Sequence, residues 1–299
     1  RICTYNIHKG FSQFNQRLAI HDLRDRLRLL GADVVFLQEV QGLHLHHARR
    51  HVDWPAQPQH EFLARDVWQA TAYGGNAIYD HGHHGNAILS RHPILTQANE
   101  DVSDHRFESR GLLHCEIHVE GVLQPVHCVC VHLGLTAGSR RRQMASLVRR
   151  LDALAPDGAP LIIAGDFNDW RNHADDCLTE QLGVTEAFVS VRGRPARSFP
   201  STLPVLRLDR IYVRGFSVDK AEVHYGQPWS RISDHAALTA QLRPADPMSI
   251  DWHPANALTL LENGAEFFPA LTAAIDLART EIFLETYIFS SDETGQEIS

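Results

Sequence analysis

Apolar residues recur along the chain with two periods, and the changes from one to the other mark out its elements. Residues 1–7 alternate as a strand, with Ile2, Thr4 and Asn6 on one face. Leu18, Leu23, Leu27 and Leu30 then form a helical stripe over residues 17–30, closed by Gly31 as C-cap. Val34-Val35-Phe36-Leu37 reads as a buried strand ending at Gln38-Glu39. A carboxylate at the tip of such a strand needs a partner or a cation. Strand, helix, strand is the order of an α/β layered domain. Further on, residues 85–91 form a strand entered through a Gly-Asn turn, and 111–118 and 124–132 pair as antiparallel strands. A helix starts at Ser139 and runs to about Leu154. Leu161-Ile162-Ile163-Ala164 is a strand buried on both faces. Gly165 is expected to turn the backbone sharply there and to present Asp166 and Asn168 together. An acidic helical stretch to Gly183 and strands at 207–213, 218–223 and 235–242 complete the pattern.

Residues 243–256 hold three prolines and no periodicity, so they read as a linker. A strand at 257–261, a helix at 266–279 and a strand at 281–289 follow. This βαβ fragment is too small to bury both faces of its strands alone.

Composition narrows the chemistry. The apolar fraction of 43% supports a sizeable core, and the net charge of −8 argues against a general polyanion binder. Only Lys9 and Lys220 are lysines. Five cysteines without a CxxC suit neither a zinc knuckle nor a disulfide framework, so Cys128 and Cys130 read as buried thiols on one strand face. Of the twenty histidines, His44, His46, His47, His51 and His60 fall on a predicted helix at 43–52 and the loop beyond. A solvated helix and loop is expected there in preference to a structural metal site. Arg140-Arg141-Arg142 is expected to be a solvated helix face. The chain opens on Arg1 inside a strand and reads as an excerpt of a longer polypeptide.

Asn6, Glu39, His132, Asp166, Asn168, Asp209, Asp234 and His235 all fall at or near strand ends. Together they offer carboxylates for a hard divalent cation, imidazoles and amides for phosphate oxygens, and an Asp–His pair for proton transfer. That is the equipment of metal-assisted phosphoester hydrolysis.

The sequence resembles the endonuclease/exonuclease/phosphatase (DNase-like) superfamily over residues 1–243. The matching segments are Thr4-Tyr5-Asn6-Ile7, Leu37-Gln38-Glu39-Val40, Asn86-Ala87-Ile88-Leu89-Ser90, His132-Leu133, Gly165-Asp166-Phe167-Asn168, Leu208-Asp209-Arg210-Ile211 and Ser233-Asp234-His235. The resemblance implies an α/β (α+β) fold, a four-layered αββα sandwich of two mixed sheets with outer helices. It implies Mg²⁺ or Mn²⁺ held by Glu39 and Asn6, with Asp234 in support or at a second site. Asp166 would orient or deprotonate water, Asn168 would hold phosphoryl oxygens, and His235 would act on the leaving or non-bridging oxygen with its tautomer set by Asp209. His132 would be a second imidazole facing the phosphate. His8 stands where several nucleases of the superfamily carry an Asp, which weakens the case for two metals.

Residues 260–288 resemble the opening of a phospholipase D-type cardiolipin synthase domain, so the organisation expected is a catalytic domain at 1–242, a linker at 243–256 and a truncated second domain at 257–299. That family's H-x-K-x4-D motif is absent, because Ile7 and Val218 precede the two lysines. The expected substrate is a small or lipid-borne phosphoester, with a link to phospholipid metabolism. The location expected is the bacterial cytoplasm at the inner membrane face, with membrane association through a missing downstream domain. A DNA or RNA nuclease is the alternative within enzymes, and a non-catalytic phosphate-binding module the alternative outside them.

Overall fold

The computed structural model describes residues 1–13, 17–79, 82–104, 108–156, 158–170, 173–245 and 264–277. In chain order the elements are β1 (Ile2–Asn6), α1 (Ile20–Leu30), β2 (Val34–His44), α2 (Leu45–Arg50), α3 (Gln59–Ala64), β3 (Ala70–Tyr79), β4 (Gly82–Ser90), β5 (Ile94–Asp101), β6 (Gly111–Ile117), β7 (Val126–His132), α4 (Ala137–Leu154), β8 (Leu161–Asp166), α5 (His173–Leu182), β9 (Thr185–Glu186), α6 (Ala187–Arg192), β10 (Asp209–Arg214), β11 (Phe216–His224), β12 (Ala237–Pro244) and α7 (Gly264–Leu277). The chain divides into two compact units, Arg1–Asp246 and Pro247–Ser299.

In the first unit the strands form two six-stranded sheets, ordered β11-β12-β1-β2-β4-β3 and β5-β6-β7-β8-β10-β9. Each sheet has one parallel pair at its centre, β1 with β2 and β7 with β8, flanked by antiparallel strands. Alternation along the strands divides the apolar residues into three layers. Ile2, Phe36, Ile88, Cys115, Cys128, Cys130, Ile162 and Leu238 pack between the sheets. Cys3, Tyr5 and Val35 face the other way, onto Leu23 and Leu27 of α1 and Phe62 of α3. Val129, Val131 and Ile163 likewise meet Met144, Leu147 and Leu151 of α4. Helix, sheet, sheet, helix is the four-layered α/β sandwich expected. The helix expected at 17–30 starts at Ile20, with Ile20 in place of Leu18 opening the buried stripe through Leu23, Leu27 and Leu30, and Gly31 ends it in the left-handed conformation (φ 61°).

Several local readings change. β2 does not stop at Glu39 but continues to His44 through a β-bulge, where its register on β4 shifts between Leu37 and Val40. Glu39 sits at that bulge with φ 56°, so the bulge redirects its carboxylate out of the sheet pattern. Gly165 is no turn either: β8 runs through it to Asp166. A Cβ at Gly165 would lie 1.9 Å from the Val131 carbonyl oxygen, so glycine is required by the close approach of β7. Gly85 is likewise inside β4, where a Cβ would meet the Gly74 carbonyl at 1.8 Å.

Arg140 is buried, not solvated, and donates to the carbonyls of Leu135 (2.6 Å) and Gly134 (3.4 Å). It ties down the loop that leaves His132, whereas Arg142 stays exposed and pairs with Asp104. The helix expected at 43–52 is the shorter α2, and the histidines about it are not simply solvated. His47 stacks on Trp54 at 5.0 Å, and buried His60 stacks on Tyr73 at 4.7 Å. The expected linker begins later than Arg243, because Arg243 and Pro244 still pair with β11. In the second unit α7 matches the predicted helix within two residues at each end, and Pro269 lies inside it. The strands predicted at 257–261 and 281–289 lie outside the described residues. No helix among the described residues is long and apolar enough to cross a membrane.

Candidate active site

The two parallel pairs end side by side. Asn6 ends β1, and His132 and Asp166 stand opposite each other at the ends of β7 and β8. Between the sheets the packing turns from apolar to hydrogen-bonded as it nears these ends. Gln38 donates to Thr4 Oγ1 (3.3 Å) and Cys130 Sγ (3.2 Å), and Asn86 donates to the Gly111 and Cys130 carbonyls (2.8 and 3.2 Å). These buried amides, whose nitrogens are paired while Gln38 Oε1 and Asn86 Oδ1 have no hydrogen-bond partner, lie beneath a cavity of about 450 Å³. Asn6, Glu39, His132, Asp166, Asn168 and His235 line it, together with Arg110 and Trp170.

Asp166 is the focus of the polar contacts. Its Oδ2 accepts from Asn6 Nδ2 (3.1 Å) and lies 3.5 Å from His132 Nε2 and 3.8 Å from His235 Nε2. Its Oδ1 accepts from the Asn168 backbone N–H at 2.9 Å, an arrangement made possible by the positive φ of Asn168 (50°). Asn168 Nδ2 in turn donates to the Leu133 carbonyl (2.9 Å). His235 Nδ1 donates to Asp209 Oδ2 at 2.8 Å, so the ring turns Nε2 toward Asp166. Ser233 fixes the loop that carries His235, donating through Oγ to the Asn6 carbonyl (2.7 Å) and accepting from the His235 N–H (3.2 Å).

Burial and charge divide the ionisable groups into distinct states. Burial raises the Asp166 carboxyl to about 7, although the His235 charge and the Asn168 and Asn6 hydrogen bonds oppose it. Burial alone would depress His235. The charges of Asp209 and Asp166, and the hydrogen bond to Asp209, outweigh it and lift the imidazole to about 10. His132 goes the other way: burial, then the positive charges of Arg110 and His235, hold it well below the usual histidine range. One neutral imidazole, one imidazolium and a carboxyl that titrates near neutrality therefore share one cavity.

Glu39 reaches the cavity half-buried, and Asn6 Nδ2 approaches its Oε1 at 3.4 Å. No basic side chain pairs with it among the described residues. A carboxylate facing a cavity without a cationic partner suits a hard divalent ion. Asn6 as oriented turns its amide nitrogen to the two carboxylates while its Oδ1 accepts from the His8 N–H (3.1 Å), so coordination through Oδ1 requires the amide to flip. Asp166, Asp209 and His235 also offer three buried ligand atoms within 4.8 Å of one another. Asp234 stands apart: its carboxylate lies 3.3 Å from His8 Nδ1 and does not line the cavity.

Sequence reasoning passed over Arg110 and Trp170. Arg110 Nε is buried without a hydrogen-bond partner, and the side chain borders the cavity beside His132. An arginine directly before a buried strand was the available signal.

This fold and site place the chain in the endonuclease/exonuclease/phosphatase family, which it matches over residues 3–235. The family consists of hydrolases of phosphoester bonds, phosphatases and nucleases among them, and is generally dependent on divalent metal. Over 242 residues the chain is 46% identical to YbhP of Escherichia coli K12, an uncharacterized protein, covering 81% of this chain and 95% of that one. A separate match of 51 residues, 43% identical, relates it to cardiolipin synthase B of Salmonella typhi, covering 17% of this chain and 12% of the synthase. Among solved structures, an endonuclease/exonuclease/phosphatase of Beutenbergia cavernae superposes with a TM-score of 0.64 at 19% identity, over 82% of this chain and 71% of that one. The mannosyl-6-phosphatase Bt3783 of Bacteroides thetaiotaomicron gives 0.60 at 14%, and D. rerio TDP2 with a single-stranded DNA product gives 0.59 at 20%. Each of these two covers 81% of this chain and 98% of its own. At such identities the solved structures establish the fold alone.

Proposed function

We propose that this protein is a divalent-metal-dependent phosphoester hydrolase acting on a small or lipid-borne substrate. The observation that carries this reading is the convergence on Asp166 Oδ2 of Asn6, neutral His132 and the Asp209-held imidazolium of His235, beside the unpaired carboxylate of Glu39. In this reading Asp166 takes a proton from water, and the His235 imidazolium donates to the leaving or a non-bridging oxygen. His132, Asn168 and Arg110 orient the phosphoryl oxygens. Glu39, with Asn6, would hold Mg²⁺ or Mn²⁺, which supplies Lewis-acid polarisation of the phosphoryl group. Asp234 acts from behind by fixing His8.

The rim of the cavity favours a compact or apolar alcohol over nucleic acid. Among the described residues, Leu135, Trp170, Phe199, Leu206 and Leu208 line it, and Arg110 is the one basic residue there besides the histidines. A strand of nucleic acid calls for a track of cations. The 51 residues akin to cardiolipin synthase B support a tie to phospholipid metabolism and a separate module beyond the 1–242 catalytic domain. The test is turnover of bis(p-nitrophenyl) phosphate, phospholipid vesicles and plasmid with Mg²⁺, Mn²⁺ or EDTA. Metal-dependent hydrolysis abolished by His235→Ala supports the reading. Turnover unchanged in EDTA, or plasmid as the best substrate, sinks it.

A further inference from the structure

A second concavity of about 590 Å³ has Lys9 and His84 in its wall, close enough to the candidate active site to act electrostatically on His132. Among the described residues, Lys9, Arg50 and five imidazoles line it together with Phe11 and Gln41, and no carboxylate is among them. In a chain of net charge −8 this is an unusual concentration of one sign. The Lys9 ammonium and the Arg50 guanidinium form no ion pair among the described residues. Gln41 Oε1 and His47 Nδ1 are buried there without a hydrogen-bond partner. Such groups cost free energy unless a ligand or water satisfies them.

The pocket is built and not incidental. Gln59 Nε2 holds the Lys9 carbonyl at 2.9 Å, and Gln59 Oε1 accepts from the Gln41 N–H at 2.9 Å, so one buried amide clamps two of its walls together. Trp54 stacks on His47 from behind, with 25° between the rings. Two features join the pocket to the reaction centre. Gln41 lies two residues beyond Glu39 on β2, just past the bulge. Lys9 and His84 also add to the positive field that keeps His132 neutral.

Resting on the hydrolase reading above, we propose that this pocket is a second anion subsite, and that it holds a terminal phosphate of a substrate whose other phosphoester lies against Asp166 and His235. Two fixed cations and a ring of N–H donors exceed what a carboxylate can accept but match a phosphate monoester, with its dianionic charge and three terminal oxygens. A metal ion is the poorer occupant. Among the described residues the group of three ligand atoms close enough to hold one is Asp166, Asp209 and His235, and the pocket's imidazoles do not converge in that way.

The deciding experiment is calorimetric titration of inorganic phosphate into the full chain carrying Glu39→Gln, with and without Arg50→Gln or Lys9→Gln. Arg50 is exposed, so its replacement leaves the fold intact. Affinity is expected to fall about tenfold with either second substitution. Binding indifferent to both overturns the subsite, whatever the enzyme hydrolyses. The activity arm compares kcat/KM for fructose 1,6-bisphosphate, fructose 6-phosphate and vesicles of phosphatidylglycerophosphate, with bis(p-nitrophenyl) phosphate as a substrate lacking a second phosphate. Arg50→Gln should lower kcat/KM on a bisphosphorylated substrate about tenfold and leave bis(p-nitrophenyl) phosphate unchanged. Loss on the vesicles assigns the phosphate to a lipid headgroup, and loss on the sugar assigns it to a soluble molecule. Equal loss on all substrates, or an oligonucleotide preferred to either bisphosphate, overturns the proposal. If no substrate turns over while phosphate still binds through Arg50, the hydrolase reading fails and the subsite stands.

Discussion

At the end of β1 and β2 the site presents Asn6 and a half-buried Glu39, whose polar neighbour is a single amide at 3.4 Å. At the end of β7 and β8 it presents His132 and Asp166, both buried and tied to each other and to His235. The two ends are built alike, each from a central parallel pair in its sheet, yet they have opposite electrostatic characters. The first leaves a charge to be met from outside. The second meets its charges internally and sets their protonation states by burial. Under the proposed reading, metal binding falls to the first end and proton transfer to the second, with the Asn6 amide touching the carboxylates of both.

If this division is right, the largest single loss belongs to Glu39→Gln. Removing the one carboxylate at the first end should lower turnover on the order of 10³-fold or more, with near-wild-type folding because the volume is unchanged. Steady-state rates across a Mg²⁺ series provide the check. Full activity at limiting Mg²⁺ would move metal binding to the buried Asp166, Asp209 and His235 and erase the contrast.

At the second end the question is whether His235 and Asp209 act as a unit. His235→Ala and Asp209→Ala should each reduce kcat by about 10²- to 10³-fold, and the double variant should be little worse than His235→Ala. Multiplicative losses would show that the 2.8 Å hydrogen bond between them does not matter to the reaction.

The two ends also differ one residue before their tips, where β1 has Tyr5 and β8 has Gly165. Tyr5 has room in the apolar layer against α1, whereas any side chain at Gly165 strikes the β7 backbone. Gly165→Ala should cost roughly 2–4 kcal/mol of stability, read from urea denaturation. A cost below about 0.5 kcal/mol, within the usual range for harmless surface changes, would mean that β7 and β8 are not held so closely.

What the sequence disclosed follows the same divide. Asn6, His132, Asp166, Asp209 and His235 were legible because each is a polar residue ending or interrupting an apolar strand, and such residues have few structural reasons to be there. Glu39 and Gly165 were singled out in the sequence, but Gly165 was read as a turn and the local conformation of neither was visible. A bulge that gives Glu39 φ 56° and a clash avoided at Gly165 depend on neighbouring strands far away in sequence. β5 left no trace because its edge position exposes most of Leu95 to Asn99 and removes the alternation. Arg140 was misread because a buried arginine satisfied by carbonyls looks, in sequence, like any basic helix face. The basic pocket beyond Lys9 was hidden for a related reason: its walls come from β1's exit turn, the end of β2, α2 and β4, and no local pattern records their meeting.

The smallest effect, and the sharpest separation of the two ends, concerns stability against pH and metal. His235 and Asp166 both have pKa values raised by folding, to about 10 and about 7. Each binds its proton more tightly in the folded chain than in the unfolded one. The His235 contribution is therefore complete below the unfolded histidine value of about 6.5 and is lost as pH rises through 10. Asp166 acts with the same sign: between about 4 and 7, ionisation in the unfolded chain outruns that in the folded one. In EDTA, stability should fall by roughly 2–3 kcal/mol between pH 7 and pH 9, and His235→Gln should flatten that slope. Glu39→Gln should leave the slope alone but abolish the rise in Tm that Mg²⁺ gives the wild type, because binding to the folded state stabilises it by mass action. Thermal melts of the three proteins at pH 7, 8 and 9, each with EDTA or Mg²⁺, decide the matter. A pH slope that responds to Glu39→Gln, or a Mg²⁺ shift that survives it, would show that the two ends titrate and bind as one site.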